Sequence, residues 1–145
     1  MTPAPYLDTS ALAKWYLNEA RSEEFERYLQ AQQSAAISRL TILEFRCLLA
    51  RRRRTREIDA RTENRVFAAF EQDLRAGFLS VQPLDDGLVP AAIEILVRLK
   101  SHALRTLDAL HLAAARSLGS PAIATADRVF ANAAEALGFA TVRFD

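Results

Sequence analysis

Short apolar segments alternate with longer helical segments along this chain. The short segments are predicted to be strands, at residues 4–8, 35–38, 78–82, 122–125 and 140–144. The longer segments repeat apolar residues at three- and four-residue intervals and predict helices at residues 10–17, 22–33, 41–53, 59–76, 85–100, 106–118 and 128–137. Brief buried strands that alternate with helices are typical of a parallel sheet covered on both faces. The pattern therefore predicts an α/β fold with a central, mainly parallel sheet of about four to five strands.

Chain length and composition fit a single domain that spans residues 1–145. Half of the 145 residues are hydrophobic, which is enough for one sizeable core. The formal net charge of +1 neither demands nor excludes nucleic acid. Because the sequence has no signal-peptide layout and no run of about 18 apolar residues, we expect a cytoplasmic protein without membrane association. Cys47 has no disulfide partner and is predicted to be a small buried hydrophobic residue in a reducing compartment.

Carboxylates interrupt four otherwise apolar stretches of the chain. They are Asp8, Glu44, Asp108 and Asp127. Asp and Glu are seldom buried unless they are paired or bind a cation, because a lone desolvated carboxylate is costly. Ligands of parallel sheets bind at the carboxyl ends of the strands, beside a switch in strand order. Asp8 and Asp127 each follow a predicted strand, so we expect the two side chains to lie near each other.

A cluster of these carboxylates predicts a site for a divalent cation. Mg²⁺ and Mn²⁺ prefer oxygen ligands, and Mg²⁺ usually takes one or two protein carboxylates while it keeps several waters. One such ion can lower the pKa of a bound water and hold a phosphate oxygen, and a second ion about 4 Å away can stabilise the leaving oxygen. The predicted chemistry is phosphodiester hydrolysis with one or two metal ions.

The same residues resemble those of a known family. Tyr6-Leu-Asp-Thr-Ser-Ala-Leu, Glu44 within a helix, Asp108-Ala-Leu-His-Leu-Ala and Thr125-Ala-Asp are similar to the motifs of PIN-domain nucleases. The layout most resembles the VapC toxins of type II toxin–antitoxin systems, over nearly the whole chain. The resemblance implies a PIN-like three-layer α/β/α sandwich and a Mg²⁺- or Mn²⁺-dependent endoribonuclease.

The resemblance also implies roles for residues and a set of partners. Asp8, Glu44 and Asp108 would form the metal site, and Asp127 would complete it directly or through water. Supporting hydroxyl groups are implied at Thr9, Ser10 and Thr125. The implied partners are an RNA substrate, a second copy of the chain in a homodimer, and a small DNA-binding antitoxin of the VapB type whose tail obstructs the acidic cleft.

Each carboxylate also has a purely structural interpretation. Asp8 and Asp127 would cap the helices that follow them, and Asp108 would be a first-turn residue favoured by the helix dipole. Glu44 would pair with Arg46 or with another arginine. Glu44 best separates the structural interpretation from the functional one, because it lies in mid-helix, where a residue cannot cap. In addition, capping does not explain all four residues in this order.

Two other groups invite a functional interpretation. His111 lies three residues after Asp108, on a neighbouring part of the same helix surface, which suggests metal ligation or proton transfer. We favour a structural role for His111, because hard cations rarely need imidazole. Asp85 and Asp86 resemble an acid–base pair, but their position just before a helix favours capping.

Positive charge is concentrated at the end of the predicted helix 41–53. The charges belong to Arg51, Arg52, Arg53, Arg54 and Arg56. They would complement the helix dipole in solvent, bind RNA phosphates, or pair with an acidic segment of an antitoxin.

Basic residues nearer the acidic motifs are further candidates for phosphate binding, namely Lys14, Arg39, Arg46 and Arg105. Five apolar residues near the first two acidic motifs could form a groove for the antitoxin tail, although such residues more often pack in the core. They are Trp15, Tyr16, Leu17, Phe45 and Leu49.

The acidic motifs also fit alternative functions. A metal-dependent DNA nuclease would use the same carboxylates, and matched RNA and DNA substrates separate the two activities. An aspartyl-phosphate phosphatase would place a second acid two positions after the nucleophile, and Ser10 stands at that position instead. A non-catalytic PIN-like module that binds RNA or protein would keep the fold without cleavage.

Overall fold

The computed structural model of the chain describes residues 3–145, so residues 1 and 2 of the predicted domain lie outside it. The strands are Tyr6–Leu7 (β1), Ala35–Ser38 (β2), Leu79–Gln82 (β3), Ala122–Thr125 (β4) and Ala140–Arg143 (β5). The helices are Thr9–Tyr16 (α1), Ser22–Gln30 (α2), Arg39–Arg54 (α3), Ala60–Ala76 (α4), Leu88–Arg98 (α5), Thr106–Leu118 (α6) and Arg128–Ala136 (α7). Every predicted element is present in the predicted order. Among the helices of residues 3–145, none is both long and apolar enough to cross a membrane.

The strands form one parallel sheet in the order β3-β2-β1-β4-β5. From β1 the chain builds outward to β2 and β3, and then returns across the sheet to β4 and β5. Strand order therefore reverses between β1 and β4, where Tyr6 pairs with Ile123 and Leu7 with Ala124. A reversal of this kind leaves a crevice at the carboxyl ends of the two strands, because their helices leave on opposite faces.

Two hydrophobic clusters fill the two faces of the sheet. One packs α1, α2, α3 and α4 against the sheet and contains Leu7. The other packs α5, α6 and α7 against the opposite face and contains Tyr6. Consecutive strand residues point to opposite faces, so β1 contributes one side chain to each core. The predicted three-layer α/β/α sandwich is confirmed.

Helices α3 and α4 form a hairpin, with the arginine run at its tip. Phe45 of α3 and Phe70 of α4 are fully buried and meet edge to face, with ring centroids 5.1 Å apart. Residues 55–59 connect the two helices directly after the run. Because Phe45 anchors α3 to the core, the adjacent Glu44 points about 100° away around the helix.

Some element boundaries differ from the sequence predictions. Strand β1 has only two residues, because Pro5 has no N–H group to donate and Asp8 already caps α1. Helix α2 ends at Gln30 rather than at residue 33. Helix α5 begins three residues later than predicted, since the Leu88 amide first closes a turn by donating to the Asp85 carbonyl at 3.2 Å.

The predicted capping of α5 by Asp85 and Asp86 is wrong. The N-cap of α5 is Gly87, without a side-chain hydrogen bond, so neither Asp85 nor Asp86 caps that helix and both are exposed. The N-cap of α6 is Arg105, and Thr106 is the first helical residue. At the start of α6 the Asp108 carboxylate accepts a hydrogen bond from the Arg105 amide at 3.0 Å.

Candidate active site

A cleft of about 500 Å³ opens at the carboxyl ends of β1 and β4. The four acidic residues predicted from the sequence all line it: Asp8, Glu44, Asp108 and Asp127. They come from the end of β1, from α3, from α6 and from the end of β4. Carboxylates from four separate parts of the chain therefore line one cleft where the strand order reverses.

Asp8 is fully engaged by hydroxyl and amide donors. Its Oδ1 accepts hydrogen bonds from the Ser10 hydroxyl at 2.7 Å and the Ala11 amide at 2.9 Å, and its Oδ2 accepts one from the Thr125 hydroxyl at 2.6 Å. Only 6% of Asp8 is exposed. Burial raises the pKa of this carboxyl, and the three hydrogen bonds offset the effect only in part. The ionised form of Asp8 is therefore disfavoured in the folded chain unless a cation compensates.

Ser10 and Thr125 join the loops that follow β1 and β4. The Thr125 hydroxyl donates to Asp8 and accepts a hydrogen bond from the Asp127 amide at 3.0 Å. The Ser10 hydroxyl donates to Asp8 and accepts one from the Ala126 amide at 2.9 Å. The two hydroxyl oxygens are 3.3 Å apart, but both protons already point to Asp8, so this contact adds no further donor. The pair orients Asp8 and fixes the loop that carries Asp127.

Glu44 reaches the cleft from α3 and is held by one oxygen. Its Oε1 accepts a hydrogen bond from the Thr9 hydroxyl at 2.9 Å and is in close contact with Nε2 of His111. Burial raises the pKa of Glu44, but the hydrogen bond and charge of His111, the Thr9 hydroxyl and the charge of Arg105 together outweigh it. The net result is a lowered pKa, so Glu44 is ionised at neutral pH.

Asp108 and Asp127 each use one oxygen to cap a helix. Asp108 Oδ2 accepts the Arg105 amide at 3.0 Å at the start of α6, and Asp127 Oδ1 accepts the Phe130 amide at 3.1 Å at the start of α7. The structural interpretation is therefore correct for these oxygens, as it is for Asp8. Within residues 3–145, no hydrogen bond reaches Asp108 Oδ1, Asp127 Oδ2 or Glu44 Oε2. Capping thus leaves acceptor atoms available in the cleft.

His111 is part of the site, whereas the sequence indicated only that it lies near Asp108. The residue is 3% exposed. Its Nε2 contacts Glu44, and its Nδ1 lies 2.6 Å from the Tyr6 hydroxyl. The only sequence signal was its position one helical turn after Asp108. That spacing does not reveal the two contacts, because Tyr6 and Glu44 are 105 and 67 positions away in the chain.

The donor set of the cleft suits a hard divalent cation. Its four carboxylates are oxygen donors of the kind that Mg²⁺ and Mn²⁺ prefer. In the part of the chain that the structure describes, no group of three or more His, Cys, Asp or Glu side chains is already arranged to hold a metal ion. This agrees with the hydrogen bonds above, which direct one or both oxygens of each carboxylate to protein donors.

The arginine run at the end of α3 is divided between ion pairs and the cleft. Arg52 pairs with Glu19, and Arg53 lies 3.3 Å from Glu63. Arg51 lines the acidic cleft, and over residues 3–145 it forms no ion pair. The run therefore contributes one guanidinium group to the cleft, while Arg52 ties α3 to the connection between α1 and α2, and Arg53 pairs within the α3–α4 hairpin.

Of the basic residues near the acidic motifs, Arg105 is the one that lines the cleft within residues 3–145. Lys14 is buried, and its amino group donates to a backbone carbonyl at 2.6 Å. Arg46 lies 3.7 Å from Glu63, so the predicted pairing of Arg46 with Glu44 is wrong. Arg105 is largely exposed, with its Nε 3.8 Å from Asp108.

Cys47 is exposed, which corrects the prediction of a buried residue. It lies three positions after Glu44 on α3 and therefore shares the side of the helix that lines the cleft. Phe45 and Leu49 occupy the core side and are fully buried. Apolar residues on several sides of α3, including Leu43 at 69% exposed, made the helical pattern a poor guide to which side is buried.

The apolar residues suggested for an antitoxin groove divide between the core and a second pocket. The buried ones are Leu17, Phe45 and Leu49. Trp15 and Tyr16 line an apolar pocket of about 200 Å³. This pocket lies at the C-terminal end of α1, whereas Thr9 and Ser10 at the N-terminal end of the same helix line the acidic cleft. The two openings are therefore separate features.

The sandwich, the reversal of strand order and the acidic cleft together define a recognised class of domain. The family described as PIN domain matches residues 6–136 of the chain. The match covers most of the chain and all four acidic positions. The chain therefore belongs to the PIN domain family.

Individual relatives narrow this assignment. Ribonuclease VapC46 of Mycobacterium tuberculosis is 33% identical over 144 residues, which cover 96% of this chain and 96% of that protein. The solved structure of VapC20 from Mycobacterium tuberculosis, a toxin that cleaves the sarcin-ricin loop, has a TM-score of 0.75 at 25% identity and covers 97% of this chain and 99% of that one. A toxin–antitoxin complex from Klebsiella pneumoniae shares the fold, with a TM-score of 0.60 at 17% identity over 88% of this chain and 91% of that one. Within the PIN domain family, the chain is one of the VapC ribonucleases.

Proposed function

We propose that this chain is a metal-dependent endoribonuclease toxin that hydrolyses RNA phosphodiester bonds. The observation that carries the proposal is that carboxylates from four separate motifs line one cleft at the switch in strand order. The relatives support the choice of substrate, since VapC46 is named a ribonuclease and VapC20 cleaves the sarcin-ricin loop. We propose a cytoplasmic location, where cellular RNA would be the substrate.

The proposed cofactor is Mg²⁺ or Mn²⁺. The residues that would hold it are Asp8, Glu44, Asp108 and Asp127. Their oxygen donors suit a hard cation, and the raised pKa of the buried Asp8 is the expected sign of a carboxylate whose ionised form needs a nearby positive charge. When bound, such an ion lowers the pKa of a water and holds a phosphate oxygen.

The other polar residues of the cleft would orient the carboxylates and the substrate. The Ser10 and Thr125 hydroxyls keep Asp8 from rotating, and the Thr9 hydroxyl does the same for Glu44. Guanidinium groups match phosphate geometry, so Arg51 and Arg105 would hold the RNA backbone at the cleft. Their charges also counter the repulsion between the acidic cluster and the polyanionic substrate.

A VapB-type antitoxin is the proposed inhibitor. The fold similarity to the toxin–antitoxin complex of Klebsiella pneumoniae supports this partner. A tail that covers the acidic cleft would exclude both the cation and the RNA, so inhibition needs no change of fold.

The proposed homodimer would form through α5. Val89, Ile93 and Val97 recur every fourth residue along one side of this helix and are 56%, 56% and 61% exposed. The acidic residues 85–86 precede this stripe, and the basic Arg98 follows it. Two such helices packed antiparallel would bury both stripes and bring each acidic end against a basic end. The face is thus self-complementary about a two-fold axis, as an isologous dimer interface requires.

Cleavage of total cellular RNA by the purified, antitoxin-free protein tests the proposal. We expect discrete fragments with Mg²⁺ or Mn²⁺ and none with chelator. Asp8→Asn and Asp108→Asn should each abolish cleavage, because a neutral amide is a much weaker ligand for a hard cation than a carboxylate. Glu26→Gln is the control for loss of a carboxylate, since Glu26 is exposed and outside the cleft, and it should cleave like the parent protein.

Three results would contradict the proposal or part of it. Cleavage of a matched DNA but not of RNA would favour the DNA nuclease. If the folded protein cleaves neither substrate and Mg²⁺ leaves its melting temperature unchanged, a non-catalytic module that binds RNA or protein becomes the better interpretation. Near-normal cleavage by Asp8→Asn or Asp108→Asn would remove that residue from the site.

A further inference from the structure

A chain of hydrogen-bonding groups runs from the core to the cleft through three elements. The Tyr6 hydroxyl of β1 lies 2.6 Å from Nδ1 of His111 in α6, and Nε2 of the same ring is in close contact with Oε1 of Glu44 in α3. The three side chains therefore connect the sheet to two helices from opposite layers, since Tyr6 and α6 lie on one face and α3 on the other.

The chain is buried at one end and open at the other. Tyr6 is fully buried and His111 is 3% exposed, whereas 23% of the Glu44 side chain is accessible. The His111 ring is also fixed by its neighbours, with the Tyr6 ring 5.8 Å away at 64° and the Phe130 ring 6.2 Å away at 84°. A buried ring held on several sides has little freedom to swing, so it can fix the carboxylate at its accessible edge.

The direction of the hydrogen bonds follows from the chemistry of the groups. Glu44 is an acceptor when ionised, so the proton between it and His111 belongs to Nε2. In a neutral imidazole, Nδ1 is then an acceptor, and the Tyr6 hydroxyl donates to it. In an imidazolium both ring nitrogens are donors, and Nε2–H still donates to Glu44. The contact with Glu44 therefore exists in either state of the ring.

Glu44 is held asymmetrically by this arrangement. Its Oε1 receives both the Thr9 hydroxyl and His111 Nε2, and over residues 3–145 nothing donates to Oε2. A glutamate on a helix surface has three rotatable side-chain bonds, and ordering it costs entropy unless other groups fix it. Two donors on one oxygen fix the side chain and leave the second oxygen directed to other ligands.

We propose that Tyr6 and His111 are positioning residues that hold Oε1 of Glu44 and so present its Oε2 to a divalent cation in the cleft. This inference rests on the proposed function, because it assigns Glu44 to the metal site. Helix α6 then has two roles, since it carries Asp108 and, one turn later, the ring that orients a carboxylate from another helix. Outer partners of metal-binding side chains commonly contribute to metal affinity without touching the metal.

Calorimetric titration of the metal-free protein with Mn²⁺ tests the inference without any cleavage. The informative variant is Tyr6→Phe/His111→Leu, because removing both groups together leaves neither the phenol hydroxyl nor the imidazole buried without the other. We expect it to fold and to bind Mn²⁺ about 10- to 100-fold more weakly than the parent protein. His111→Gln should regain most of the affinity, because a glutamine amide can place a donor near the position of Nε2. His102→Gln, the change at the other histidine, is the matched control and should bind like the parent protein.

A double-mutant cycle separates positioning of Glu44 from a general structural effect. In a Glu44→Gln background, Tyr6→Phe/His111→Leu should cause no further loss of Mn²⁺ affinity, because the groups act through that carboxylate. Two results would overturn the inference and leave the proposed function intact. One is losses of Mn²⁺ affinity that add up in the combined variant; the other is equal Mn²⁺ affinity in the parent protein and in Tyr6→Phe/His111→Leu. If the folded parent protein binds no Mn²⁺, the proposed metal-dependent function fails, and this inference fails with it.

Discussion

Asp8 and Glu44 line the same cleft in opposite electrostatic environments. Burial dominates at Asp8 and raises its pKa, whereas His111, Thr9 and Arg105 outweigh burial at Glu44 and lower its pKa. Compared with the unfolded chain, the fold therefore disfavours the ionised form of Asp8 and favours that of Glu44. A cation favours the ionised form of its ligands, so metal binding should release protons in the pH range in which Asp8 titrates.

The raised pKa of Asp8 predicts a pH-dependent effect of Asp8→Asn on the metal-free protein. Above its ordinary value of 3.8, the folded state keeps the Asp8 proton more readily than the unfolded state. This proton linkage makes the parent protein lose stability as pH rises through that window. Asparagine carries no charge, so the free energy of unfolding of Asp8→Asn should exceed that of the parent protein at about pH 7 and approach it near pH 4. Urea denaturation at the two pH values measures this, and a gain that is equal at both would contradict it.

Glu44→Gln should have the opposite sign in the same experiment. The pKa of Glu44 is lowered from its ordinary value of 4.5, so its charge stabilises the fold above that value and the contribution is lost as pH falls through the folded pKa. The variant should therefore be less stable than the parent protein at neutral pH, and the difference should shrink in acid. A Glu44→Gln variant more stable than the parent protein at neutral pH would show that burial, not His111, dominates at this site.

Arg51 and Arg105 are predicted to contact RNA phosphates, and Arg54 is not. Arg51→Gln and Arg105→Gln, each in an Asp8→Asn background that prevents cleavage, should weaken binding of a labelled single-stranded RNA. Each should also lower the slope of log K against log salt by about 0.7. Arg54→Gln is the matched control, because Arg54 is exposed on the same helix end and does not line the cleft. An unchanged slope in both cleft variants, or an equal loss in the control, would contradict the assignment.

At the scale of elements, α3 is positioned by an aromatic cluster on the side of the helix that faces the core, away from its cleft residues. Phe70 of α4 meets Phe45 of α3 at 5.1 Å and Tyr16 of α1 at 5.5 Å, and it is fully buried. The Tyr16 hydroxyl also donates to Asp73 of α4 at 2.5 Å, which ties α1 to the hairpin. The orientation of Glu44 therefore depends on packing that lies outside the cleft.

Phe70→Ala should destabilise the fold by about 3–5 kcal/mol, because it removes a buried ring and leaves a cavity between three helices. Phe70→Leu keeps most of the volume and should be milder. Urea denaturation of the metal-free proteins measures both effects, with Val129→Ala as a control at an apolar residue that is 43% exposed. A loss below about 1 kcal/mol in Phe70→Ala would mean that the three helices close the cavity, and that the cluster does not fix α3.

At the scale of the whole molecule, the α5 face predicts a homodimer that a single charge should disrupt. Ile93 lies at the centre of the exposed stripe, so Ile93→Glu would bury a carboxylate in the proposed interface. We expect sedimentation equilibrium to give a dimer for the parent protein and a monomer for Ile93→Glu. Val129→Glu introduces the same charge on α7 and should remain dimeric. A monomeric parent protein at micromolar concentration, or a dimeric Ile93→Glu, would contradict this interface.

Much of the fold was predictable because its signals are local. The period of apolar residues defined every strand and helix, and Asp8 and Asp127 were correctly interpreted as residues that begin helices. Errors fell where a turn or a cap was decided by a few hydrogen bonds, as at the start of α5. The side of α3 that faces the core was also missed, because apolar residues such as Leu43 lie on more than one side of that helix.

The strands and helices, their order and the four acidic residues of the cleft follow from local periodicity and from motifs of a few residues, so they could be predicted from the chain alone. How the carboxylates are held depends on packing between elements. The contacts of His111 join residues 105 and 67 positions apart, and the division of the arginines depends on which acidic groups each one meets. Such contacts are products of packing between elements, and no short-range pattern in the chain specifies them.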